Sequence, residues 1–211
     1  MSAPLTFALP KGRLAEQALK LLARAGLAVP EVPPDSRKLV FDAPGGGSRF
    51  IMVKPADVPI YVEYGVADLG IAGKDTILES RADVYDVLDL KVGRCRMVVA
   101  GPRGAAAGVH ARAFLRVATK YPHVAERHFL EQGMSVEVIG LSGSVELAPV
   151  TGLAERIVDL VETGSTLAAH DLVELEVLFH SSARLVVNRA SHKLRFEVLE
   201  PLVERLREVV G

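Results

Sequence analysis

The sequence predicts an α/β protein made of two lobes. Apolar runs typical of buried strands alternate with segments whose apolar residues recur at helical spacing, and this alternation occurs in both halves of the 211-residue chain. The chain is expected to cross between lobes near residue 100 and to return near residue 175. Lobe I is therefore expected to comprise residues 1–100 and 175–211, and lobe II residues 101–174.

In the first half, strands are expected at residues 5–9, 39–41, 50–53, 68–72, 84–88 and 96–101. A helix is expected at residues 14–25, where the apolar side chains form one stripe. Asp57, with Pro59 just behind it, predicts the N-cap of a second, short helix. A third helix is expected at residues 74–80.

In the second half, strands are expected at residues 115–119, 135–139, 172–179 and 183–188, and residues 157–161 form an apolar run broken by one acid, Asp159. Pro122 is expected to begin a helix that Gly133 ends. The last helix is expected at about residues 193–209, with Pro201 inside it as a source of a kink. The Gly- and Ala-rich residues 102–109 are the best candidate for a linker.

Composition excludes several classes of protein. The chain has 25 Lys and Arg against 26 Asp and Glu, so it is not a general nucleic-acid coat and any anion site must be local. The single cysteine, Cys95, cannot form an intramolecular disulfide, and the scattered histidines lack metal-ligand spacing. No apolar stretch reaches the ~20 residues that a membrane span needs, and no signal peptide is evident. A cysteine-poor chain fits a reducing cytoplasm.

The strongest local signal is the segment ERIVDLVETGSTL at residues 155–167. An apolar run there leads into Thr-Gly-Ser-Thr and then a helix start, and consecutive N–H groups at such a start can bind a phosphate. The alternative is an ordinary helix cap, since Ser and Thr are preferred there without any ligand. Asp159 lies inside the apolar run and requires a partner, which a sugar diol, a metal-bound substrate or a basic side chain would supply.

A second signal is ALPKGR at residues 8–13, where the first strand meets the first helix. Lys11 and Arg13 there oppose the helix dipole, which favours an anion site over a merely solvated pair. A weaker signal is the placement of Asp68 and Lys74 around a glycine-punctuated strand, for which turn chemistry is the alternative.

Together these segments resemble the ATP phosphoribosyltransferase family over nearly the whole chain. The resemblance rests on the order and spacing of six segments: ALPKGR at 8–13, VPIYVEYGVADLGIAGKD at 58–75, GRCRMVVAGP at 93–102, RVATKYP at 116–122, GSVELAPVTGLAERIVDLVETGSTL at 143–167 and SSARLVVN at 181–188. It implies a glycosyltransferase that joins N1 of the adenine of ATP to C1 of phosphoribosyl pyrophosphate, expels pyrophosphate, and uses Mg²⁺ held mainly by the substrate. The implied fold is similar to type II periplasmic binding proteins, with a cleft between two lobes.

The resemblance also implies roles for individual residues. The loop that holds the 5-phosphate corresponds to Thr163, Gly164, Ser165 and Thr166. Asp159 corresponds to the acid near the ribose hydroxyls, and the residues facing the pyrophosphate and the ATP phosphates correspond to Lys11, Gly12 and Arg13. Acids lining the cleft correspond to Glu146 and Asp68. Lys54 stands where the family often has Arg, so the charge is kept but the bidentate fork is lost. Asp159, Lys11 and Arg13 are expected to carry the reaction.

The chain ends at Gly211, directly after its last helix, which resembles the short form of the family. That form implies a homodimer alone and a hetero-octamer with a regulatory subunit similar to histidyl-tRNA synthetase, in the cytoplasm, without nucleic acid or membrane. The sequence disfavours three other classes of protein. The missing signal peptide disfavours an exported ligand-binding protein. The intact phosphate loop disfavours an inactive scaffold. The segments ALPKGR and VADLGIAGKD disfavour a different phosphoribosyltransferase.

Overall fold

The structure, a computed structural model, describes residues 4–33, 36–104 and 115–211. It divides into two compact units, of which unit 1 comprises Met1–Gly93 and Ser182–Gly211 and unit 2 comprises Arg94–Ser181. The changeovers expected near residues 100 and 175 fall instead inside two strands. Those strands pair with each other and so lie whole in unit 2.

Unit 1 is built on a six-stranded sheet. Its strands are β1 (Leu5–Pro10), β2 (Val40–Asp42), β3 (Ser48–Val53), β4 (Leu69–Gly73), β5 (Tyr85–Asp89) and β11 (Ala183–Val187). Their order is β2-β3-β1-β4-β11-β5, with β1 parallel to β3 and β4. The helices of this unit are α1 (Arg13–Arg24), α2 (Val58–Glu63, after a 3₁₀ turn at Pro55–Asp57), α3 (Lys74–Ser80), α7 (Arg189–Leu194) and α8 (Phe196–Val210).

Both faces of this sheet are covered, as the near-continuous apolar β1 requires. On one face α1 and α8 pack with Phe7 and Phe50, whose rings stack at a centroid distance of 5.0 Å. On the other face α2 places Val58 and Val62 over Ala8. Burying each large apolar side chain stabilises the fold by about 1.5–3 kcal/mol, so these two clusters fix β1 between its covering helices.

Unit 2 is built on a five-stranded sheet. Its strands are β6 (Cys95–Pro102), β7 (Leu115–Thr119), β8 (Val136–Gly140), β9 (Arg156–Val161) and β10 (Leu172–Ser181). Their order is β10-β6-β9-β7-β8, with β7 parallel to β8 and β9. The helices are α4 (Pro122–Glu131), α5 (Leu147–Thr151) and α6 (Ser165–Ala169). No helix in the described ranges combines the length and apolar character of a membrane span.

Every predicted strand is present, with ends within two residues of those expected. The last helix differs, because Asn188 caps an earlier helix, α7, by accepting a hydrogen bond from Ser191 N at 2.9 Å, and Arg195 separates α7 from α8. Asp57 is the N-cap residue of α2, as predicted, but its side chain makes no cap hydrogen bond, and it also ends a 3₁₀ turn. The proposed linker at 102–109 lies largely outside the described residues.

Candidate functional site

The carboxyl ends of β7, β8 and β9 meet at one edge of the unit 2 sheet. Thr119 is in register with both Gly140 and Val158, so the segments following these parallel strands lie side by side. In open α/β sheets, ligands bind outside the carboxyl ends of strands. The phosphate loop predicted from the sequence follows β9 at this edge.

The turn between β9 and α6 is built around Gly164, whose φ of 85° lies in the left-handed region that favours glycine. Gly164 is the N-cap residue of α6, so the Ser or Thr side-chain cap weighed from the sequence is absent at that position. The Thr163 and Ser165 hydroxyls lie 3.0 Å apart, and Ser165 N donates to Thr163 Oγ1 at a long 3.4 Å. Thr166 is exposed, and its hydroxyl has no partner within the described parts of the chain. The turn therefore presents hydroxyls and main-chain N–H groups to an incoming ligand.

Asp159 is half-buried on β9, just before this turn. Burial raises the pKa of its carboxyl, and the nearby negative charge of Glu146 raises it further. The Leu160 main-chain N–H and the positive charge of Lys120 act in the opposite direction. No cation within the described ranges forms an ion pair with Asp159. The two carboxylates thus form an acidic pair that a bound diol or cation would relieve.

Lys120 is a site residue that the sequence analysis missed. It follows β7, and extending the β7–β9 register by one residue places it beside Asp159. The signal was present in RVATKYP, because a lysine directly after a predicted parallel strand falls at the ligand-binding edge. Fully buried Thr119 fixes this corner, donating to Val158 O at 2.6 Å and accepting from Tyr121 N at 2.8 Å.

A second edge with basic residues lies in unit 1. Pro10 is in register with Val53, and Lys11 N donates to Val53 O at 2.9 Å, so the exposed Lys11 and Lys54 follow neighbouring strands. Gly12 caps α1 with φ 95° and contributes no side-chain cap, and the exposed Arg13 begins the helix. The structure therefore brings together Lys11, Gly12, Arg13 and Lys54, as a site for anions would require.

Asp68 does not belong to that edge. Asp68 precedes β4, whereas Lys74 follows it, so the two residues lie six steps apart along the strand, about 20 Å. The Asp68 carboxylate accepts hydrogen bonds from Thr6 N at 2.9 Å, Ser191 Oγ at 2.7 Å and Arg195 Nη1 at 2.7 Å. The structure gives Asp68 the role of tying β1 and β4 to α7, in place of the cleft-lining role expected from the sequence.

The comparisons with known proteins agree with this architecture. The family model described as ATP phosphoribosyltransferase matches residues 54–208. The ATP phosphoribosyltransferase of Geobacillus kaustophilus (strain HTA426) is 53% identical over 206 residues, covering 98% of each chain. That of Syntrophotalea carbinolica is 50% identical over 213 residues, covering 100% of this chain and 97% of the relative.

Solved structures give the same result. The ATP phosphoribosyl transferase (HisG:HisZ) complex from Thermotoga maritima matches with a TM-score of 0.84 at 35% identity, covering 98% of both chains. The periplasmic VFT2 domain of Bordetella pertussis BvgS matches with a TM-score of 0.59 at 16% identity, over 99% of this chain and 92% of that one, and shares the fold alone. The predicted class, a two-lobed α/β protein similar to periplasmic binding proteins, is confirmed.

Both the family match and the identities extend over most of the chain, and they cover the turn at Gly164 and the acidic pair. The chain belongs to the ATP phosphoribosyltransferase family, glycosyltransferases that transfer the 5-phosphoribosyl group of phosphoribosyl pyrophosphate to N1 of ATP, release pyrophosphate and so begin histidine biosynthesis.

Proposed function

We propose that unit 2 binds the phosphoribosyl group, with the 5-phosphate on the turn formed by Thr163, Gly164, Ser165 and Thr166. The observation that carries this assignment is the Gly164 turn itself, a glycine with left-handed φ after the carboxyl end of β9, flanked by the exposed Thr163, Ser165 and Thr166. Hydrogen bonds from hydroxyl and main-chain N–H donors to a charged phosphate are stronger than those to neutral acceptors. Asp159 lies on β9, four residues before Thr163, and Glu146 is its acidic neighbour, so the pair flanks the strand that leads into the turn.

Asp159 is proposed to hold the ribose hydroxyls and to stabilise the positive charge that develops at C1 as pyrophosphate leaves. Its raised pKa supports this role, because a carboxylate held at a cost in the free protein gains most when a cationic centre forms beside it. Glu146 lies close enough to share the task. No general base is needed, since adenine N1 already carries a lone pair at neutral pH.

In unit 1, Lys11, Gly12, Arg13 and Lys54 are proposed to bind the pyrophosphate and the ATP phosphates. All four are exposed at the carboxyl ends of β1 and β3, so the charges of the three basic side chains are available to phosphate oxygens. Lys54 supplies a point charge rather than a planar fork. Positioning and electrostatics, rather than proton transfer, then account for the rate.

Mg²⁺ is proposed to be held mainly by the oxygens of the substrate. Within the described residues there is no cluster of three or more metal-ligating side chains. Mg²⁺ commonly takes one or two carboxylates together with substrate phosphates, and the Asp159–Glu146 pair fits that donor set. When bound, the ion would neutralise the departing pyrophosphate.

The chain is proposed to form a homodimer alone and a hetero-octamer with a regulatory subunit similar to histidyl-tRNA synthetase, in the cytoplasm. The likeness to the HisG:HisZ complex of Thermotoga maritima, over 98% of both chains, supports a separate partner. Two-fold dimers are also the commonest soluble oligomers.

Replacing Thr163 or Thr166 by Ala tests the turn. The KM for phosphoribosyl pyrophosphate should rise by about tenfold or more, since a hydroxyl bond to a charged group contributes roughly 1.5–3 kcal/mol, while the KM for ATP and the melting temperature change little. Thr151→Ala is the matched control, because the acceptors of its hydroxyl, Leu147 O at 2.9 Å and Ala148 O at 3.4 Å, both lie within α5. A loss of stability with an unchanged KM would show that the turn hydroxyls only stabilise the helix start.

A further inference from the structure

A forked ion pair lies on the strands next to the phosphate turn. Arg96 on β6 donates from Nε to Glu174 Oε2 at 2.8 Å and from Nη2 to Glu174 Oε1 at 2.5 Å. Both side chains are 28% exposed. The hydrogen bonds of the fork raise the pKa of Arg96 and lower that of Glu174, so both groups stay charged.

The pair touches the turn at two points. Arg96 Nη1 donates to the main-chain oxygen of Glu162 at 3.3 Å, at the first residue after β9. A Cβ placed on Gly164 would lie 3.6 Å from Glu174 Oε1, so the carboxylate packs directly against the centre of the turn. The fork therefore contacts both the start and the middle of the segment that presents donors to the phosphate.

We propose that Arg96 and Glu174 are positioning residues that hold the Glu162–Ser165 turn in the geometry that binds phosphoribosyl pyrophosphate. This inference rests on the proposed function of the turn. The sequence analysis did not find this pair, because 78 positions separate the two residues and only the pairing of β6 with β10 brings them together.

Holding the turn lowers the cost of ordering it when the substrate binds, which is the energetic benefit of a preorganised site. Arg96 also neutralises a carboxylate that would otherwise repel a phosphate bound on Gly164. Because the guanidinium is committed to Glu174 through two donors, it acts through the turn and not as a direct phosphate ligand.

The variants Arg96→Gln, Glu174→Gln and their combination test the proposal in steady-state assays of the protein. Arg96→Gln should raise the KM for phosphoribosyl pyrophosphate about tenfold, because it both loosens the turn and leaves Glu174 unpaired beneath it. Glu174→Gln should raise it about threefold, by loosening alone. Adding Glu174→Gln to Arg96→Gln should lower the KM again towards that of Glu174→Gln. The KM for ATP should change less than twofold throughout.

A matched control is the Arg116–Glu155 fork of the same unit, with Arg116 Nη2 donating to Glu155 Oε1 at 2.7 Å. This second fork lies at the amino end of β9, whereas the phosphate turn follows its carboxyl end. The six residues of β9, about 20 Å of strand, separate them. Arg116→Gln should lower the melting temperature without a selective rise in the KM for phosphoribosyl pyrophosphate. Arg96→Lys keeps the charge and one donor, so an intermediate KM is expected, and this variant carries the test should Arg96→Gln fail to fold.

Two results would overturn the proposal. A lower KM in Glu174→Gln, with the double variant as impaired as Arg96→Gln, would make Arg96 a direct phosphate ligand. Unchanged KM values in every Arg96 and Glu174 variant would make the pair purely structural. Thr163→Ala distinguishes a failure of the positioning role from a failure of the proposed function. If Thr163→Ala raises the KM for phosphoribosyl pyrophosphate while the Arg96 variants leave it unchanged, only the positioning role is rejected.

Discussion

Replacing Asp159 by Asn should stabilise the substrate-free protein while slowing its reaction. Burial, and secondly the charge of Glu146, hold the pKa of Asp159 above its ordinary value of 3.8. A carboxyl whose pKa is raised in the folded state favours folding when it is protonated. This contribution is complete at a pH below the ordinary pKa and is lost as the pH rises through the folded-state pKa. At neutral pH the ionised group therefore costs stability, and an isosteric amide removes that cost.

The size of the effect follows from the surroundings of Asp159. The side chain is half-buried, and the Leu160 N–H and the charge of Lys120 offset part of the cost. The increase in the free energy of unfolding should therefore lie in the lower part of the roughly 0.5–2 kcal/mol that a single stabilising substitution commonly yields. For a chain of this length that corresponds to about 1–4 °C in Tm. The turnover should fall about 100-fold, as when one preorganised charge is removed from a transition state.

Thermal unfolding of both proteins from pH 4 to pH 8 measures the first effect, and steady-state kinetics with both substrates measures the second. The stability gain should shrink towards pH 4, where the carboxyl of the parent protein is increasingly protonated. Glu146→Gln removes the like charge, so in that background Asp159→Asn should stabilise less. An unchanged kcat together with a lower Tm would make Asp159 a structural acid and refute this reasoning.

Three further predictions concern stability and regulation. The hydrogen bonds from Arg116 lower the pKa of Glu155 from 4.5 to about 2. The stabilisation by this ion pair is therefore fully present above pH 4.5 and is lost as the pH falls through about 2. In urea unfolding at pH 7, Glu155→Gln should lower the free energy of unfolding by about 1 kcal/mol, since the pair is partly screened, and equal stability would contradict this. Gly70→Ala should cost about 1–3 kcal/mol by overpacking, because its Cβ would lie 2.7 Å from Val62 Cγ2, whereas Gly47→Ala, with open space around it, should not. Histidine should inhibit the chain in complex with the proposed regulatory subunit and barely affect the chain alone. Strong inhibition of the pure chain would contradict the proposal that histidine acts only through a separate subunit.

Local chemistry made much of the fold predictable from the sequence. The apolar run of β1 and the amphipathic stripe of α1 identify both elements and place Lys11 and Arg13 at their junction. The five-residue α5 was missed because it is too short to show helical periodicity and contains Pro149. The order of the strands could not be predicted from the sequence, because β11 lies between β4 and β5 although about a hundred residues separate it from them in the chain.

The same limits explain what the sequence did not reveal about the site. The hydrogen bonds that tie Asp68 to Ser191 and Arg195 join residues more than 120 positions apart, so no local pattern could indicate them. The turn at Gly164 was found because all its donors are contiguous. Lys120 and the Arg96–Glu174 pair were missed because parallel register and strand pairing, rather than proximity in sequence, bring them to the turn.

The most direct test of the site assignment is a crystal structure of the chain with phosphoribosyl pyrophosphate and Mg²⁺. The 5-phosphate should accept hydrogen bonds from the main-chain N–H groups and hydroxyls of Thr163 to Thr166, with the ribose hydroxyls at Asp159. A 5-phosphate bound at Lys11 and Arg13 instead, with the turn at Gly164 making no contact to the substrate, would contradict the assignment.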